Sequence, residues 1–496
     1  MTVSPTPSLW DHLRFQARLR PHALAVHGPA GPVSYAALVR DVAALAKVFA
    51  ERTLTRADLV GLQLDFSYMH VLAILALDLL GIPSLSLASA EPMPAPATWR
   101  DGFGITAMIA SRAAPADASV RWIEVPDQHR PRLGEPDGAL LARLDSPPDA
   151  LVRVIWSSGS TGGPKGAPLT RVLQLRRMAA RSLARAFGPR TRYFTAMPFS
   201  AEPGYVMLLA ILANGGAVIL PDPATDFVSR ANALGVTVTN ASPAMLAELL
   251  ARRGLPRRLD TMELLLVSGA QLAPPLAEEV RVWLTPNLWV AYGSTETASV
   301  ATADAAIIVT DPTAVGFVFP DVAVEIVDDA DRPQPDGREG RVRLRSAQMI
   351  TGYYKDDDAT RRNFRDGWFY PGDLGAITAD GLLRITGRIE DLIMRDGVAQ
   401  SPQPIEEAMR ALPGVRDVAV FPWTGPDGAT KIAAAVVLEA GTDPASIGAV
   451  ATARLGAQAP TRLFLIDKLP RNANGKIMRR ELVALAERSA REAPRT

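Results

Sequence analysis

Thirteen residues, WSSGSTGGPKGAP from Trp156 to Pro168, hold four glycines, four hydroxyl side chains and one lysine. Those are the parts of a polyanion site. Glycines let backbone N–H groups close on phosphate oxygens, hydroxyls add donors, and a lysine brings a point charge. Two common phosphate loops do not fit. The Walker pattern needs Gly directly before the lysine and Ser or Thr after it, whereas Pro164 precedes Lys165 and Gly166 follows it. The dinucleotide fingerprint G-x-G-x-x-G is also absent from the segment. A flexible Gly/Ser linker is the plainer alternative, but linkers seldom sit between a clean strand and a clean helix.

Four further segments carry reactive side chains at turns. YGSTETA (Tyr292–Ala298) sets an aromatic, the hydroxyls of Ser294 and Thr295, and then Glu296 just after the apolar LWVA. YPGDLG (Tyr370–Gly375) puts Asp373 in a turn, while GRIEDLIMRDG and RNANGKIMRR supply Arg388 and Lys476 beside glycines. Each alone is an ordinary turn. Together, in this order and at these separations, coincidence is a poor account of them.

The elements that must position them are readable from periodicity. Leu151–Trp156 is an apolar run that predicts a strand. Thr170 is a predicted N-cap, and Val172, Leu175, Ala179 and Leu183 at helical spacing predict a helix stopped by Gly188-Pro189. Strand–helix alternations continue through DLVGLQL and Val71–Leu80, GGAVILP and a segment ending near Leu234, VTVTNASP and AMLAELLARRG, ELLLVSGA and PPLAEEVRVWL. Such alternation predicts α/β layers with largely parallel sheets. From about Gly316, short runs separated by Asp-Gly turns predict a small antiparallel barrel or sheet. After Arg388 one helix and two strands predict a compact α+β domain. The fold expected is thus α/β, with a large N-terminal domain of several subdomains over residues 1–387 and a small mobile domain over 388–496.

Composition narrows the class of partner. The chain has 496 residues, 53 basic and 52 acidic, with a formal charge of +1. That balance calls for neither nucleic acid nor an anionic membrane. No cysteine is present, which removes disulfides, thiolate metal sites and cysteine nucleophiles. MTVSPTPSLWDHLRFQ lacks the basic patch and apolar core of a signal peptide. The most apolar stretch, Met69–Ala88, is broken by Asp78, Gly81 and Pro83 and predicts a buried helix running into a buried strand, not a membrane span. A soluble, cytoplasmic protein is expected.

From PVSYAAL at Pro32 to NANGKIMRR, the chain resembles the adenylate-forming superfamily of AMP-forming acyl-CoA synthetases, peptide-synthetase adenylation domains and firefly luciferase. SSGSTGGPKG, YGSTE, GYYKDDDAT, GD, GR…D and NGK stand in family order. The resemblance implies ATP-dependent activation of a small carboxylic acid to an acyl-adenylate, with Mg²⁺, followed by transfer to a thiol. Coenzyme A is the favoured acceptor, with the phosphopantetheine of a separate carrier protein as the rival. A decayed, nucleotide-binding scaffold is the non-enzyme alternative. By this resemblance Ser157, Ser158, Gly159, Ser160, Thr161 and Lys165 hold the β- and γ-phosphates. Thr295 meets the α-phosphate and Glu296 ligates Mg²⁺. Tyr292 with Gly293, and Gly269, Ala270 and Gln271 on the other side, flank adenine. Asp373 and Arg388 bind ribose, and Lys476 reaches the carboxylate and α-phosphate. Ser200, Ala201, Tyr205, Ser268 and Gly269 line the acyl pocket, Gly397 lets pantetheine pass, and the hinge falls at Glu390.

Two departures bear on specificity. Where relatives carry PLFHxxG this chain has PFSAEPG (Pro198–Gly204), so Ala201 replaces His and Ser200 replaces an aromatic. No acid stands at Ser200 to hold an α-ammonium, which disfavours α-amino acids and favours an aryl or medium apolar acid. Only residues 477–496 follow Lys476, so a carrier acceptor is expected to be a separate chain.

Overall fold

The computed structural model describes residues 8–87, 96–115, 119–125, 133–136, 147–157, 165–252, 258–395, 398–425, 430–471 and 477–492. Two sheets form the larger part. In the first, five parallel strands run in the order Arg121–Glu124, Ala107–Ala110, Val60–Gln63, Ser84–Ser86 and Leu151–Ser157, and Lys165–Thr170 closes the edge antiparallel. In the second, Leu24–Gly28, Ala217–Ile219, Arg192–Phe194, Val238–Ala241, Leu264–Val267 and Leu288–Ser294 are neighbours in parallel. The expected α/β alternation is present at each of the four paired segments.

The antiparallel part begins one hairpin earlier than the sequence texture suggests. Ala298–Asp304 pairs back on Leu288–Ser294, and the strands after it continue the same hydrogen-bonded sheet. The Asp-Gly turns that mark the change of texture come later because they join only the last hairpins. The C-terminal part has its own sheet, Val415–Thr424, Thr430–Leu438 and Arg462–Leu465. Period-two alternation buries both faces. Val418, Val420, Ile432 and Ala434 pack with Ile405, Met409 and Ile447, while Ala419, Phe421, Ala433 and Ala435 pack with Leu482 and Ala486.

Met69–Ala88 behaves as expected up to the last described residue. Helix Tyr68–Leu80 is buried along its length, ends on left-handed Gly81, and leads into the buried strand Ser84–Ser86. No described helix is long and apolar enough to cross a membrane.

Two expectations around the glycine-rich segment need correction. It is not a strand–loop–helix: Lys165–Thr170 is itself a strand, with Ser157 opposite Lys165, so the glycine-rich residues join a hairpin. Thr170 then caps helix Arg171–Arg185, its hydroxyl accepting from Leu173 N. That helix buries Arg171, Leu173, Gln174, Arg177, Met178 and Arg181, whereas Leu183 is 84% exposed. It ends at left-handed Ala186, two residues before Gly188. Hydrophobic periodicity picks the wrong face because the inward side chains are cations with acceptors waiting. Arg171 pairs with Asp78 near the end of the buried helix, and Arg181 pairs with Glu202 at the start of helix Glu202–Ala213.

Between these layers lies His70. Its Nε2 faces Ser86 Oγ at 2.7 Å and its Nδ1 faces Asp65 O at 3.2 Å. Burial, reinforced by the neighbouring Arg153 guanidinium, holds its pKa down at about 3. The unfolded chain takes up this proton near pH 6.5 and the folded chain resists until about pH 3. In that window the unfolded state binds more protons, so stability falls as pH falls. Wild type is expected to lose up to about 1.4 kcal/mol per pH unit below pH ~6 from this group. Urea titrations at stepped pH check it: His70→Asn should remove that slope, and an identical slope in both proteins would refute the assignment.

Candidate active site

Parallel strands empty their C-terminal ends on one edge of a sheet, where ligands of α/β folds collect. Here Arg192–Phe194, Val238–Ala241, Leu264–Val267 and Leu288–Ser294 share that edge. The chain leaving them carries Ser200 and Ala201, then Ser268–Gln271, then Tyr292–Glu296. Gly269 takes φ +91°, a left-handed turn open to glycine. At Gly293 a Cβ would stand 2.0 Å from Ala298 O, so the hairpin that carries Glu296 closes only over glycine.

One cluster centres on Asp373. Tyr292 donates its hydroxyl to Asp373 Oδ2, and Arg388 Nε lies 2.9 Å from Oδ1. Asp373 and Arg388 are directly opposed on the antiparallel strands Asp373–Ile377 and Leu382–Arg388. Arg388 also gives Nη1 to Glu390 Oε1 at 3.1 Å. Burial, and then Asp373, push the Tyr292 phenol well above its usual range. Burial works against the Arg388 charge, but Asp373 and then Glu390 outweigh it and raise its pKa. Both oxygens of Asp373 are thus engaged.

A second cluster centres on Glu296, in the turn after Leu288–Ser294 with half-buried Thr295 beside it. Tyr353 donates its hydroxyl to Glu296 Oε1 at 2.7 Å, and Lys165 Nζ stands 5.1 Å over the Tyr353 ring. Burial, then the Glu296 charge, raise the Tyr353 pKa. The backbone of the turn is pinned as well: Glu296 O accepts from Arg177 Nη2 at 3.0 Å and from Ile350 N at 2.9 Å. Lys165, Glu296 and Tyr353 thus meet from three distant parts of the chain. Among the described residues no group of three His, Cys, Asp or Glu gathers as a metal cage. One hard carboxylate oxygen donor is what a magnesium ion held mainly by phosphates and water requires.

The C-terminal part reaches this edge. Gln271 Nε2 donates to Glu407 Oε1 at 2.7 Å and to Pro312 O at 3.0 Å. Gly397 and Lys476 lie outside the described residues, as do Ser158, Gly159, Ser160 and Thr161, while Ser157 and Lys165 close the hairpin that carries those four. The flanks of Lys476 are fixed. Arg471 and Ile477 form a bridge, Arg471 Nη2 reaches Asp417 Oδ2 at 2.8 Å, and Arg479 reaches both Glu406 Oε1 at 2.6 Å and Asp391 Oδ2 at 3.2 Å. Asp391 belongs to the 3₁₀ turn Ile389–Asp391 that contains exposed Glu390.

On the acid side, Ser200 is half-buried and Ala201 caps helix Glu202–Ala213. Gly204 is obligatory, since a Cβ there would meet Pro198 O at 2.3 Å. Tyr205 is 1% exposed, accepts from Gln174 Nε2 at 2.7 Å and lies under the Arg153 guanidinium. Ser268 and Gly269 follow directly on strand Leu264–Val267.

Sequence reasoning missed Tyr353 and Arg177. GYYKDDDAT signals the first, but nothing local says which tyrosine faces Glu296. Arg177 falls on the face that periodicity assigns to solvent.

The geometry can be set beside known proteins. A family model for AMP-binding enzymes matches residues 13–354, and a model for the AMP-binding enzyme C-terminal domain matches residues 404–476. The chain is 30% identical over 402 residues to sulfoacetate–CoA ligase of Cupriavidus necator, covering 78% of this chain and 77% of that one. It is 28% identical over 504 residues to 2-succinylbenzoate–CoA ligase of Geobacillus kaustophilus, covering 98% of each. The fold superposes on o-succinylbenzoate coenzyme A synthetase of Bacillus subtilis, solved with ATP and magnesium ion, at TM-score 0.84 and 23% identity over 96% of this chain and 99% of that one. Matched across both its large part and its C-terminal part, the chain belongs to the family of AMP-binding enzymes.

Proposed function

We propose that this protein joins a carboxylic acid to a thiol at the expense of ATP. A carboxylate oxygen attacks the α-phosphorus, the bond to the β-phosphate oxygen breaks, and pyrophosphate leaves with that electron pair. The thiol sulfur then attacks the acyl carbon, AMP leaves, and the thiol proton passes to solvent. The observation that carries this reading is the convergence of Lys165, Tyr353 and Glu296 beside the Tyr292–Asp373–Arg388 cluster on one sheet edge. The relatives' names as CoA ligases support coenzyme A over a separate carrier protein. The cytoplasm, which holds both ATP and coenzyme A, is the compartment that suits the reaction.

Anion meets polyanion in the first step, so catalysis is mainly positioning and positive charge. Magnesium bound with ATP supplies Lewis-acid charge neutralisation there. Glu296, oriented by Tyr353, is its protein ligand in this reading, and Thr295 meets the α-phosphate. The hairpin through Ser157, Ser158, Gly159, Ser160, Thr161 and Lys165 holds the outer phosphates. Asp373 exchanges the Tyr292 hydroxyl for ribose hydroxyls, with Arg388 still paired to its other oxygen. Adenine lies between Tyr292 and Gly269–Gln271. Lys476 brings its charge to the reacting oxygens during adenylation. The 388–496 part then turns about Glu390 to bring Gly397 to the thiol, since one rigid placement of so small a part cannot serve both steps. ATP–pyrophosphate exchange over a panel of acids, repeated as thioester synthesis with coenzyme A, tests the function; no exchange with any acid would defeat it.

Three outcomes check the roles. Tyr353→Phe frees the Glu296 carboxylate from its orienting bond, so exchange should need roughly tenfold more Mg²⁺, as loss of a supporting hydrogen bond at a metal ligand commonly costs. Superimposable Mg²⁺ titrations would remove Tyr353 from the site. Lys476→Ala should lose exchange by about a hundredfold or more while still converting pre-made acyl-adenylate to thioester; equal loss of both halves contradicts the assignment. Glu390→Pro should do the reverse, sparing exchange and slowing thioester formation at least about tenfold, ~1.4 kcal/mol of barrier, by fixing φ near −65°. Wild-type thioester rates in that variant would end the hinge account.

A further inference from the structure

One buried arginine ties the phosphate side of the molecule to the acid side. Arg153 is 1% exposed and stands on strand Leu151–Ser157, which leads into the glycine-rich hairpin. Two of its bonds stay within the first sheet: Nη1 donates to Ser84 Oγ at 2.8 Å and Nη2 to Ser86 Oγ at 2.5 Å. A third crosses to the turn that follows Arg192–Phe194 of the second sheet, where Nη2 donates to Phe199 O at 2.8 Å. The guanidinium carbon also lies 4.6 Å over the centre of the Tyr205 ring. Phe199 and Tyr205 bracket Ser200–Gly204, so Arg153 grips the acid side at both ends.

The turn depends on that grip in a particular way. Met197 O accepts from the Thr195 hydroxyl at 3.2 Å and Pro198 O from Ala201 N at 3.0 Å, both from within the turn. Phe199 O, the next carbonyl, is bonded from the other sheet. The Phe199 ring is held from the same side, edge-on to His70 at 5.1 Å and tilted against Phe66 at 5.4 Å.

The hydrogen bonds behind Arg153 run in one direction. Asp65 O can only accept, so His70 Nδ1 carries the proton and Nε2 is left to accept from the Ser86 hydroxyl. The Ser86 oxygen in turn accepts from Arg153. Ser86 O takes Trp156 Nε1 at 3.0 Å, which fixes the residue just before Ser157. Burial lowers the Arg153 pKa only to about 10, so its charge persists at neutral pH and strengthens each bond it gives.

Adenylation needs the acid oxygen and the α-phosphorus about 3–3.5 Å apart and in line, and a misplacement of about 1 Å can cost about a hundredfold. Four residues of strand, about 13 Å, separate Arg153 from Ser157 with no loop between. A side chain fixed on that strand and bonded to the acid wall therefore sets the distance between the two. We propose that Arg153 is a positioning residue for the acid, holding the Phe199–Tyr205 wall in register with the phosphate hairpin so that the bound carboxylate faces the α-phosphorus. This rests on the adenylation reading above.

Pyrophosphate exchange with the full chain tests it, over acetate, hexanoate, octanoate, benzoate and phenylacetate, with KM measured for ATP and for the acid that wild type activates fastest. Arg153→Met should raise the acid KM about tenfold or more and leave the ATP KM within about twofold. Arg153→Lys should recover part of the loss, since it keeps the charge and loses the planar fork. Arg230, a buried arginine bonded to Leu220 O and Asp222, supplies the control: Arg230→Met should lower stability without parting the two KM values. Acid and ATP KM that rise together or not at all in folded Arg153→Met, or the same split in Arg230→Met, overturns the role and leaves adenylation standing. No exchange by wild type with any acid removes the adenylation reading and this role with it. Circular dichroism shows whether the variants fold. If Arg153→Met does not, Ser86→Ala decides: it breaks the link between Arg153 and His70 and should raise the acid KM alone about threefold, and an unchanged acid KM overturns the role.

Discussion

A guanidinium without solvent has to be given acceptors by the fold around it, and Arg177 takes two from backbone carbonyls, those of Glu296 and Gln348. That choice couples three parts of the molecule. The helix carrying Arg177 starts where the glycine-rich hairpin ends, so the position of Lys165 and the position of the Glu296 turn are set against one another. Ile350 N bonds to the same Glu296 carbonyl, and Tyr353, three residues later, takes the carboxylate. A main-chain turn held by a buried cation has little freedom to drift. Reacting groups held in place before the substrate arrives need no reorganisation during the reaction.

The same logic of prior engagement runs through the Asp373 cluster. Both oxygens of that carboxylate already have donors, a phenol on one side and a guanidinium on the other. In the proposed function a ligand with two hydroxyls would exchange one set of hydrogen bonds for another and leave neither oxygen bare. The net worth of such an exchange is small, which suits a nucleotide that must enter as ATP and depart as AMP. Arg388 extends this cluster to Glu390, and the turn containing Glu390 is tied through Asp391 to Arg479. An unbroken chain of ion pairs and covalent bonds therefore runs from Asp373 through Arg388, Glu390 and Asp391 to Arg479, three residues beyond Lys476.

Arginine is suited to these tasks because its five donors spread in a plane and its charge persists when desolvated. Burial lowers the Arg177 pKa only to about 10, so it stays cationic at neutral pH. The result is a helix whose inner face looks polar in sequence and yet packs against the two largest layers of the protein. Its outer face shows Leu183 to water.

The glycine-rich segment, the Tyr292–Glu296 hairpin, Asp373, Arg388 and the alternation of strands and helices were legible in the chain because each rests on local rules: turn residues, periodicity of two or 3.6, and clustered donors. Residue order alone also carried the family. What periodicity could not supply was the partner of each polar side chain. Arg177 and Arg181 read as solvent-facing until Glu202 and the Glu296 carbonyl are placed beside them, and Tyr353 reads as one of two adjacent tyrosines until its hydroxyl meets Glu296. Glu202 lies 21 residues from Arg181, and Glu296 lies 119 from Arg177. Hydrophobic burial leaves a mark in sequence because one residue type suffices to state it. A buried charge needs two partners, and only folding brings them together.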